Sequence, residues 1–248
     1  MDEKLTKAQM KEQRKQERQE WEQKMAKDQQ MKGLKKLGIW VGALAIVAVS
    51  VWGLIALVNA PSAPTTPTMT APAVTSSDMT LGPKNAKVTL IEYADFQCPA
   101  CAAYHPLINQ LMKDYDGKVL FVYRFFPLTT IHRNGFASAT AGYAAYLQGK
   151  FWQMDDQLFN HQNDWAEVTD PTNIYVGYAK DLGMDTAKFT ADMQAQSTKD
   201  FINKEEDAGT AIGINSTPTF FINGKSIQNP QSYDAFKQHI QDALDTSK

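Results

Sequence analysis

The most informative stretch of the sequence is Val88-Thr-Leu-Ile-Glu-Tyr-Ala-Asp-Phe-Gln-Cys-Pro-Ala-Cys101. Its first part, Val88 to Tyr93, is apolar and β-rich apart from one glutamate, which predicts a buried strand. Pro99 is typical of the first position of a helix, where its missing N–H is not needed. We therefore expect Cys98 to be the N-cap residue and Cys101 to lie in the first turn. Their i, i+3 spacing makes a disulfide between them geometrically plausible.

Two cysteines at the start of a helix indicate redox chemistry. The positive end of the helix dipole and unpaired backbone N–H groups stabilise a thiolate there. In C-x-x-C motifs the cysteine pKa of about 8.5 can fall to roughly 3.5–7.5. We expect Cys98, nearer the open end, to be the exposed attacking thiolate and Cys101 to be the shielded resolving thiol. The chain contains no other cysteine.

Two other interpretations of the cysteine pair stay open. The pair could form a purely structural disulfide, although closing so short a loop removes little entropy from the unfolded chain. It could also be half of a zinc site, with His105 one turn further along. Structural zinc usually needs four ligands in two pairs, and the sequence has no second pair. We therefore expect no bound metal and no cofactor.

The composition is that of an ordinary globular protein. The chain has 248 residues, of which 43% are hydrophobic and 21% charged, and its formal net charge of −2 does not favour nucleic-acid binding. Residues 1–37 are different, because they contain eleven Lys or Arg and seven Asp or Glu. This leader has no apolar stripe, so we expect a solvated helix or a disordered tail.

Residues 38–58 are predicted to be a transmembrane anchor. They include no charged residue, and as a helix they would span about 31 Å, close to the bilayer core of about 30 Å. Lys32, Lys35 and Lys36 precede this segment, and no Lys or Arg follows it until Lys84. This asymmetry places the leader in the cytoplasm and the rest of the chain outside it. A cleaved signal peptide is the alternative, but the apolar run is longer than usual for one.

The remainder is predicted to be a linker followed by one α/β domain. Residues 59–80 are rich in Pro, Thr, Ala and Ser, which is typical of a spacer, and the domain is expected over 81–248. Lys118–Phe126 is a second predicted strand, and the helix before it makes a β-α-β unit with parallel strands. Residues of about 134–213 are predicted to be mostly helical, and Asn223-Gly224 is predicted to be a hairpin turn.

Four local motifs point to a known family. They are Glu-Tyr-Ala-Asp-Phe-Gln-Cys-Pro-Ala-Cys from residue 92, Tyr-Arg-Phe-Phe-Pro-Leu from residue 123, Gly-Lys-Phe-Trp from residue 149 and Ser-Thr-Pro-Thr-Phe-Phe-Ile-Asn-Gly from residue 216. With these motifs, the order of elements over about residues 81–246 resembles the DsbA-like branch of the thioredoxin superfamily, in particular its membrane-anchored BdbD type. The resemblance implies a thioredoxin fold with a helical insertion at about 134–213, preceded by the single transmembrane helix.

The resemblance also implies roles for residues outside the cysteine motif. Thr217 and Pro218 would form a cis-proline loop beside Cys98, where the backbone of Thr217 pairs with a bound substrate strand. Glu92 matches the family's buried acid, whose raised pKa lets it exchange a proton as Cys101 reacts. A partly exposed, salt-bridged glutamate is the alternative for this position.

One position departs from the pattern of the family. Ala100 stands where some family members carry a polar residue or histidine, and its side chain cannot donate a hydrogen bond to the Cys98 thiolate. The oxidising strength of the pair is therefore open, because it depends on how well the reduced form is stabilised.

These features predict a protein disulfide oxidoreductase at the cell membrane, with its catalytic domain outside the cytoplasm. We expect a monomeric dithiol oxidase that introduces disulfides into exported polypeptides with free thiols through Cys98 and Cys101. The resemblance implies that a quinone-linked membrane protein reoxidises it. A disulfide reductase or isomerase is the alternative within the enzyme class. A membrane-tethered substrate-binding or chaperone domain with a non-catalytic disulfide is the alternative from another class.

Overall fold

A computed structural model describes most of the C-terminal three quarters of the chain and a few residues before it. The described residues are 21, 24, 25, 49–52 and 69–246. The chain divides into two compact units, residues 1–65 and residues 66–248. The strands of the fold all belong to the second unit.

The predicted leader and anchor belong to the first unit. Residues 1–37 and 38–58 fall largely outside the described residues, and within the anchor only 49–52 are described, as exposed helix. None of the helices formed by described residues is both long and apolar enough to cross a bilayer. The leader, the anchor and its orientation therefore stay predictions.

The second unit contains the predicted order of strands and helices. The strands are β1 (Met79–Leu81), β2 (Val88–Ala94), β3 (Val119–Phe125), β4 (Thr219–Ile222) and β5 (Lys225–Ser226). The helices are α1 (Pro99–Asp114), α2 (Gly135–Tyr146), α3 (Phe151–Asn160), α4 (Gln162–Trp165), α5 (Thr172–Asp181), α6 (Thr186–Gln194), α7 (Gln196–Ala211) and α8 (Tyr233–Thr246). Helices α2 to α7 confirm the predicted helical insertion between β3 and β4.

The described strands form one five-stranded sheet in the order β1-β3-β2-β4-β5. As predicted, β2 and β3 are parallel, with Val88 opposite Val119 and Ala94 opposite Phe125, because α1 carries the chain back to the starting edge. Strand β2 also pairs with β4 in antiparallel orientation, so it is the central strand. Its carboxyl end leads within a few residues to Cys98.

The helical insertion packs beside the loop that joins β2 to α1. Helix α2 is rich in Ala and Gly, and an added Cβ at Gly142 would lie 2.7 Å from the ring of Phe96 in that loop. Phe96 and both cysteines belong to one core cluster, which also contains buried side chains of the insertion such as Trp165. The insertion is therefore a structural part of the cysteine site.

The predicted boundary between the linker 59–80 and the domain is wrong, because the domain begins earlier. Asp78 is buried and forms a 2.7 Å ion pair with Arg124 of β3. The amide of Ala71 donates a hydrogen bond to the Gly224 carbonyl at 2.8 Å. Strand β1, which begins inside the predicted linker, pairs with β3. The described residues from Ala71 onward are therefore integrated in the fold, despite their spacer-like composition.

The predicted hairpin turn is confirmed. Asn223 and Gly224 join β4 to β5 with φ angles of 49° and 79°, in the left-handed region that these two residue types tolerate best. The side-chain oxygen of Asn223 accepts a hydrogen bond from the amide of Thr89 at 2.9 Å. This contact fixes the hairpin against β2, so that Pro218, at the start of β4, lies near the carboxyl end of β2.

Candidate active site

Cys98 and Cys101 lie at the amino end of α1. Cys98 is the N-cap residue, with φ −70° and ψ 120°, and Pro99 occupies the first position of the helix, as predicted. Both cysteines are free thiols in this structure. Cys98 is 6% exposed and Cys101 is 0% exposed. The expected order of exposure is correct, but the prediction that Cys98 is an exposed residue is wrong, because the Thr217 loop covers it.

The surroundings of Cys98 favour its thiolate. A hydrogen bond from the Cys101 thiol lowers the pKa of Cys98 to about 5, against the opposing effect of burial. Thr217 and the backbone N–H groups of Cys101 and Ala100 lower the pKa further, as expected for amides at the start of a helix. The side chain of Ala100 cannot stabilise the thiolate, but the backbone of the same residue does.

Cys101 has the opposite environment. Burial raises the pKa of its thiol well above the ordinary value, and the hydrogen bond to Cys98 and the negative charge of Glu92 raise it further. At neutral pH the pair therefore consists of a Cys98 thiolate and a Cys101 thiol. A proton must reach Cys101 whenever its sulfur leaves a disulfide, and must depart when the disulfide forms again.

The Thr217–Pro218 peptide bond is cis, as the resemblance implies. This loop lies against the amino end of α1, where the Thr217 carbonyl oxygen is 3.4 Å from Sγ of Cys98. The side chain of Asn229 donates to the Pro218 carbonyl at 2.7 Å, which holds the loop from its other side. The structure therefore brings the two predicted substrate-binding residues next to the predicted attacking sulfur.

Glu92 on β2 is 2% exposed, so it is buried as predicted, and the partly exposed alternative is wrong. Burial raises the pKa of its carboxyl well above the ordinary value, and the negative charges of Asp155 and Cys98 raise it further. Its Oε1 atom is buried and takes part in no hydrogen bond with the described residues. Glu92 is therefore a buried acid near Cys98 whose surroundings favour its protonated form.

Asp95, which sequence analysis missed, shapes the loop before Cys98. Its Oδ1 atom accepts a hydrogen bond from the Gln97 amide at 2.8 Å, and its Oδ2 atom accepts one from the Leu128 amide at 2.8 Å. Oδ2 also lies 2.7 Å from Nδ1 of His132. The hydrogen bond to Asp95 raises the pKa of His132, and the negative charge of Cys98 adds to this effect.

Two glutamine side chains form hydrogen bonds between the helical insertion and the same loop. Gln97 donates to the Ala166 carbonyl at 2.7 Å and accepts from the Asn134 amide at 2.6 Å. Gln162 donates to the Cys98 carbonyl at 3.1 Å. Gln97 stands inside the cysteine motif, where a polar residue in a buried turn is a usable signal. Asn134 and Gln162 carry no such signal, because only the fold brings them to the loop.

The zinc alternative is not supported by the position of His105. Its Nε2 atom lies 2.9 Å from Asp156 Oδ1, and its Nδ1 atom lies 3.4 Å from Asp155 Oδ2. Among the described residues, the potential metal ligands that come together are these three side chains, without either cysteine. His105 therefore contacts two carboxylates of α3, and not the cysteines, as its potential co-ligands.

Two cysteines of opposite acidity lie next to a cis-proline loop on this α/β sheet, an arrangement that suits thiol–disulfide exchange. A family model described as thioredoxin matches residues 74–242. The chain belongs to this family.

Solved structures share the fold. Oxidised BdbD from Bacillus subtilis aligns with a TM-score of 0.64 and 22% identity, over 71% of this chain and 98% of that chain. The protein α-DsbA1 from Wolbachia pipientis aligns with a TM-score of 0.62 and 22% identity, over 71% of this chain and 94% of that chain. The predicted thioredoxin fold with a helical insertion, of the DsbA and BdbD type, is thereby confirmed.

A curated relative of much greater length also matches. The Na⁺/H⁺ antiporter NhaA 1 of Mycolicibacterium gilvum is 36% identical over 157 residues, which are 62% of this chain and 24% of the antiporter. The chain spans about a quarter of the length of the curated relatives it matches first. The similarity therefore concerns one part of those proteins.

Proposed function

We propose that the protein is a dithiol oxidase that introduces disulfides into exported polypeptides. The observation that favours an oxidase over a reductase is the difference in acidity between the two thiols. The pKa of Cys98 falls to about 5, while burial raises that of Cys101. A stabilised Cys98 thiolate favours the reduced form of the protein, and this makes its disulfide a stronger oxidant. A reductase needs the opposite, a disulfide form that is favoured over its reduced form.

The reaction begins with attack of a substrate thiolate on Sγ of Cys98 in the Cys98–Cys101 disulfide. The S–S bond breaks, a mixed disulfide forms with the substrate, and the Cys101 sulfur takes up a proton. A second substrate thiolate then attacks the substrate sulfur of the mixed disulfide, which closes the substrate disulfide and releases Cys98 as a thiolate. The low pKa of Cys98 makes it a good leaving group in this step.

The Thr217 loop supports substrate binding during the same reaction. The Thr217 carbonyl oxygen lies 3.4 Å from Sγ of Cys98. A Cys98 sulfur in a disulfide has no proton to donate to this carbonyl, so the carbonyl can accept a hydrogen bond from a substrate amide. An extended substrate segment would pair with the backbone at this point, before Pro218, as an added strand does at a sheet edge.

The site of action is proposed to be the outer side of the cell membrane. The uncharged segment 38–58 and the lysines before it support an anchor with a cytoplasmic leader. A curated relative is named a Na⁺/H⁺ antiporter and is 36% identical over 157 residues, so part of this chain is similar to part of a protein named as a transporter. The proposed partners are exported polypeptides with free thiols and a quinone-linked membrane protein that accepts the two electrons.

The reduction potential of the full-length chain tests this proposal. Equilibration with glutathione buffers should give a value nearer to about −120 mV than to about −270 mV, the range between strong oxidants and thioredoxin. The oxidised protein should also introduce disulfides into a reduced, unfolded substrate, and the variant with both Cys98→Ser and Cys101→Ser should not. A potential near that of thioredoxin would favour the reductase alternative instead.

Alkylation separates the enzyme from a tethered binding or chaperone domain with a non-catalytic disulfide. The reduced protein should react with a mild alkylating agent at neutral pH at Cys98 and not at Cys101, because only Cys98 is a thiolate there. If neither cysteine reacts, the binding-domain alternative is preferred.

A further inference from the structure

Three titratable groups, Glu92, Tyr123 and Asp155, interact in the core beside the cysteine pair. Glu92 on β2 stands opposite Tyr123 on β3 in the parallel register, so their side chains share one face of the sheet. The charges of Asp155, Cys101 and Glu92 all act on the Tyr123 hydroxyl, whose pKa burial raises first. The groups therefore form one buried polar cluster inside an apolar core.

Two oxygen atoms of this cluster are buried without a hydrogen bond. They are Oε1 of Glu92 and the hydroxyl oxygen of Tyr123, neither of which bonds to any described residue. Buried polar atoms without partners destabilise a fold, so those that are retained call for an explanation such as a catalytic role. Burial also favours the protonated form of Glu92, and in this form the carboxyl carries an exchangeable proton in the core.

The cluster continues outward through helices α1 and α3. Cys101 and His105 are one turn apart on the buried face of α1. Nδ1 of His105 lies 3.4 Å from Oδ2 of Asp155, which is 7% exposed at its side chain. Nε2 of His105 lies 2.9 Å from Oδ1 of Asp156, whose side chain is 52% exposed. The side chain of Asn109 donates to the same Asp156 oxygen at 3.1 Å and so keeps it in place.

We propose that Asp155, His105 and Asp156 form the outer half of a proton path that connects Glu92 and Cys101 with solvent at the surface between α1 and α3. The proposal rests on the thiol–disulfide exchange proposed above. When the Cys98–Cys101 bond breaks, its electron pair stays on the Cys101 sulfur, and Glu92 gives that sulfur a proton. Asp155 then returns a proton to Glu92, and His105 passes the replacement from Asp156 and water.

The protonation states of the cluster suit this transfer. Burial lowers the pKa of His105, with Asp156 opposing the shift, so the ring is neutral at pH 7 and can accept a proton on one nitrogen while it donates from the other. Burial and the neighbouring Asp156 charge raise the pKa of Asp155, so it can hold a proton. The titratable groups that interact electrostatically with Glu92 are Asp155, Cys98 and Cys101.

A single-turnover experiment on the full-length chain tests the path. The oxidised protein is reduced with dithiothreitol in H₂O and in D₂O, at several pH values from about 5 to about 9. Asp155→Asn should slow the reduction at pH 7 by about 10- to 100-fold. Glu92 then stays unprotonated after its transfer, so Cys101 returns the proton to it and expels dithiothreitol from the mixed disulfide. The solvent isotope effect should increase as well. Asp155→Glu should restore most of the rate.

A second variant and a matched control distinguish loss of the proton path from misfolding of the Asp155→Asn protein. His105→Gln interrupts the same path on another helix and should slow the reaction in the same direction. Asp200→Asn removes an exposed carboxylate elsewhere in the insertion, where it accepts only from the Gln196 side chain, and should leave the rate and the isotope effect unchanged. The pH profile is informative here, because a merely structural loss would not change its shape.

The outcomes are distinguishable. If the wild-type disulfide exchanges but Asp155→Asn and His105→Gln behave like Asp200→Asn, the proton path is refuted while the oxidoreductase function stands. If treatment of the wild type with EDTA reproduces the loss seen in the variants, the three side chains hold a cation, and the path is again refuted. If the wild-type disulfide does not exchange with thiols, the proposed function itself fails.

Discussion

The acidity of Cys98 comes from hydrogen bonds that exist only in the folded chain, so it must appear in the pH dependence of stability. The folded pKa of about 5 lies below the value of about 8.5 in the unfolded chain. The thiolate therefore stabilises the reduced protein above pH 8.5, and this contribution is lost as the pH falls through about 5. At pH 7, two pH units above the folded pKa, it is on the order of 3 kcal/mol.

Denaturant unfolding of the reduced protein between pH 5 and pH 8 measures this contribution. The free energy of unfolding of the wild type should rise with pH relative to that of Cys98→Ser, because only the wild type gains a thiolate over this range. Taking the difference between the two proteins removes the titration of all other groups. Equal slopes for the two proteins would contradict the assigned pKa of about 5.

At the same scale, the residues that could be predicted are those with a local signal. Pro99 was enough to predict Cys98 as the N-cap, because proline at the first helical position is a backbone effect within three residues. Glu92 could be assigned only through the resemblance. His132, Asp155 and Gln162 could not be predicted at all, since loops and helices distant in sequence bring them to the site.

Among the secondary-structure elements, β1 depends most on a single contact. Arg124 on β3 pairs with Asp78 just before β1, and both side chains are at most 5% exposed. The same guanidinium also donates to the carbonyls of Pro72 and Ala73 and to the Tyr93 hydroxyl. This one side chain therefore connects the sheet to three residues of the segment before β1, in addition to the backbone hydrogen bond of Ala71.

Asp78→Asn should destabilise the protein by about 3 to 5 kcal/mol, because it leaves a buried guanidinium without its counter-charge. Chemical denaturation at neutral pH measures the loss, with Asp242→Asn as the control, since Asp242 is an exposed carboxylate on α8. The control should lie within about 0.5 kcal/mol of the wild type. A loss of similar size in both variants would show that the buried pair is not special.

Composition predicted the helices and strands better than it predicted where the domain begins. The parallel β2–β3 pair follows from the β-α-β order, because a helix of α1's length must return the chain to the same edge. The segment before β1 was assigned to the linker because its Pro, Thr and Ser content is typical of a spacer. Its attachment depends on Asp78 and Arg124, which are 46 positions apart, and such pairing cannot be inferred from local composition.

For the molecule as a whole, the contacts described for the cysteine site come from residues of the second unit. These contacts involve the Cys101 thiol, which donates a hydrogen bond to Cys98, the Thr217 loop, and the glutamines that connect the insertion to the loop. They all lie between residues 95 and 229, and the family match covers 74–242. The uncharged segment 38–58 belongs to the first unit. We therefore expect redox chemistry and membrane attachment to be separable.

A fragment of residues 66–248 should fold and keep the Cys98 pKa and the exchange rate of the full-length protein, because it retains the contacts to the two sulfurs that the described residues make. When expressed, it should stay in the supernatant after ultracentrifugation of lysed cells, whereas the full-length chain should sediment with membranes and be released by detergent. The variant with Cys98→Ser and Cys101→Ser should sediment like the wild type, which shows that attachment does not need the redox pair. A fragment that folds but has lost the acidic thiolate would mean that the first unit contributes to the site. A full-length chain that remains in the supernatant would refute the anchor and leave the chemistry of the cysteines untouched.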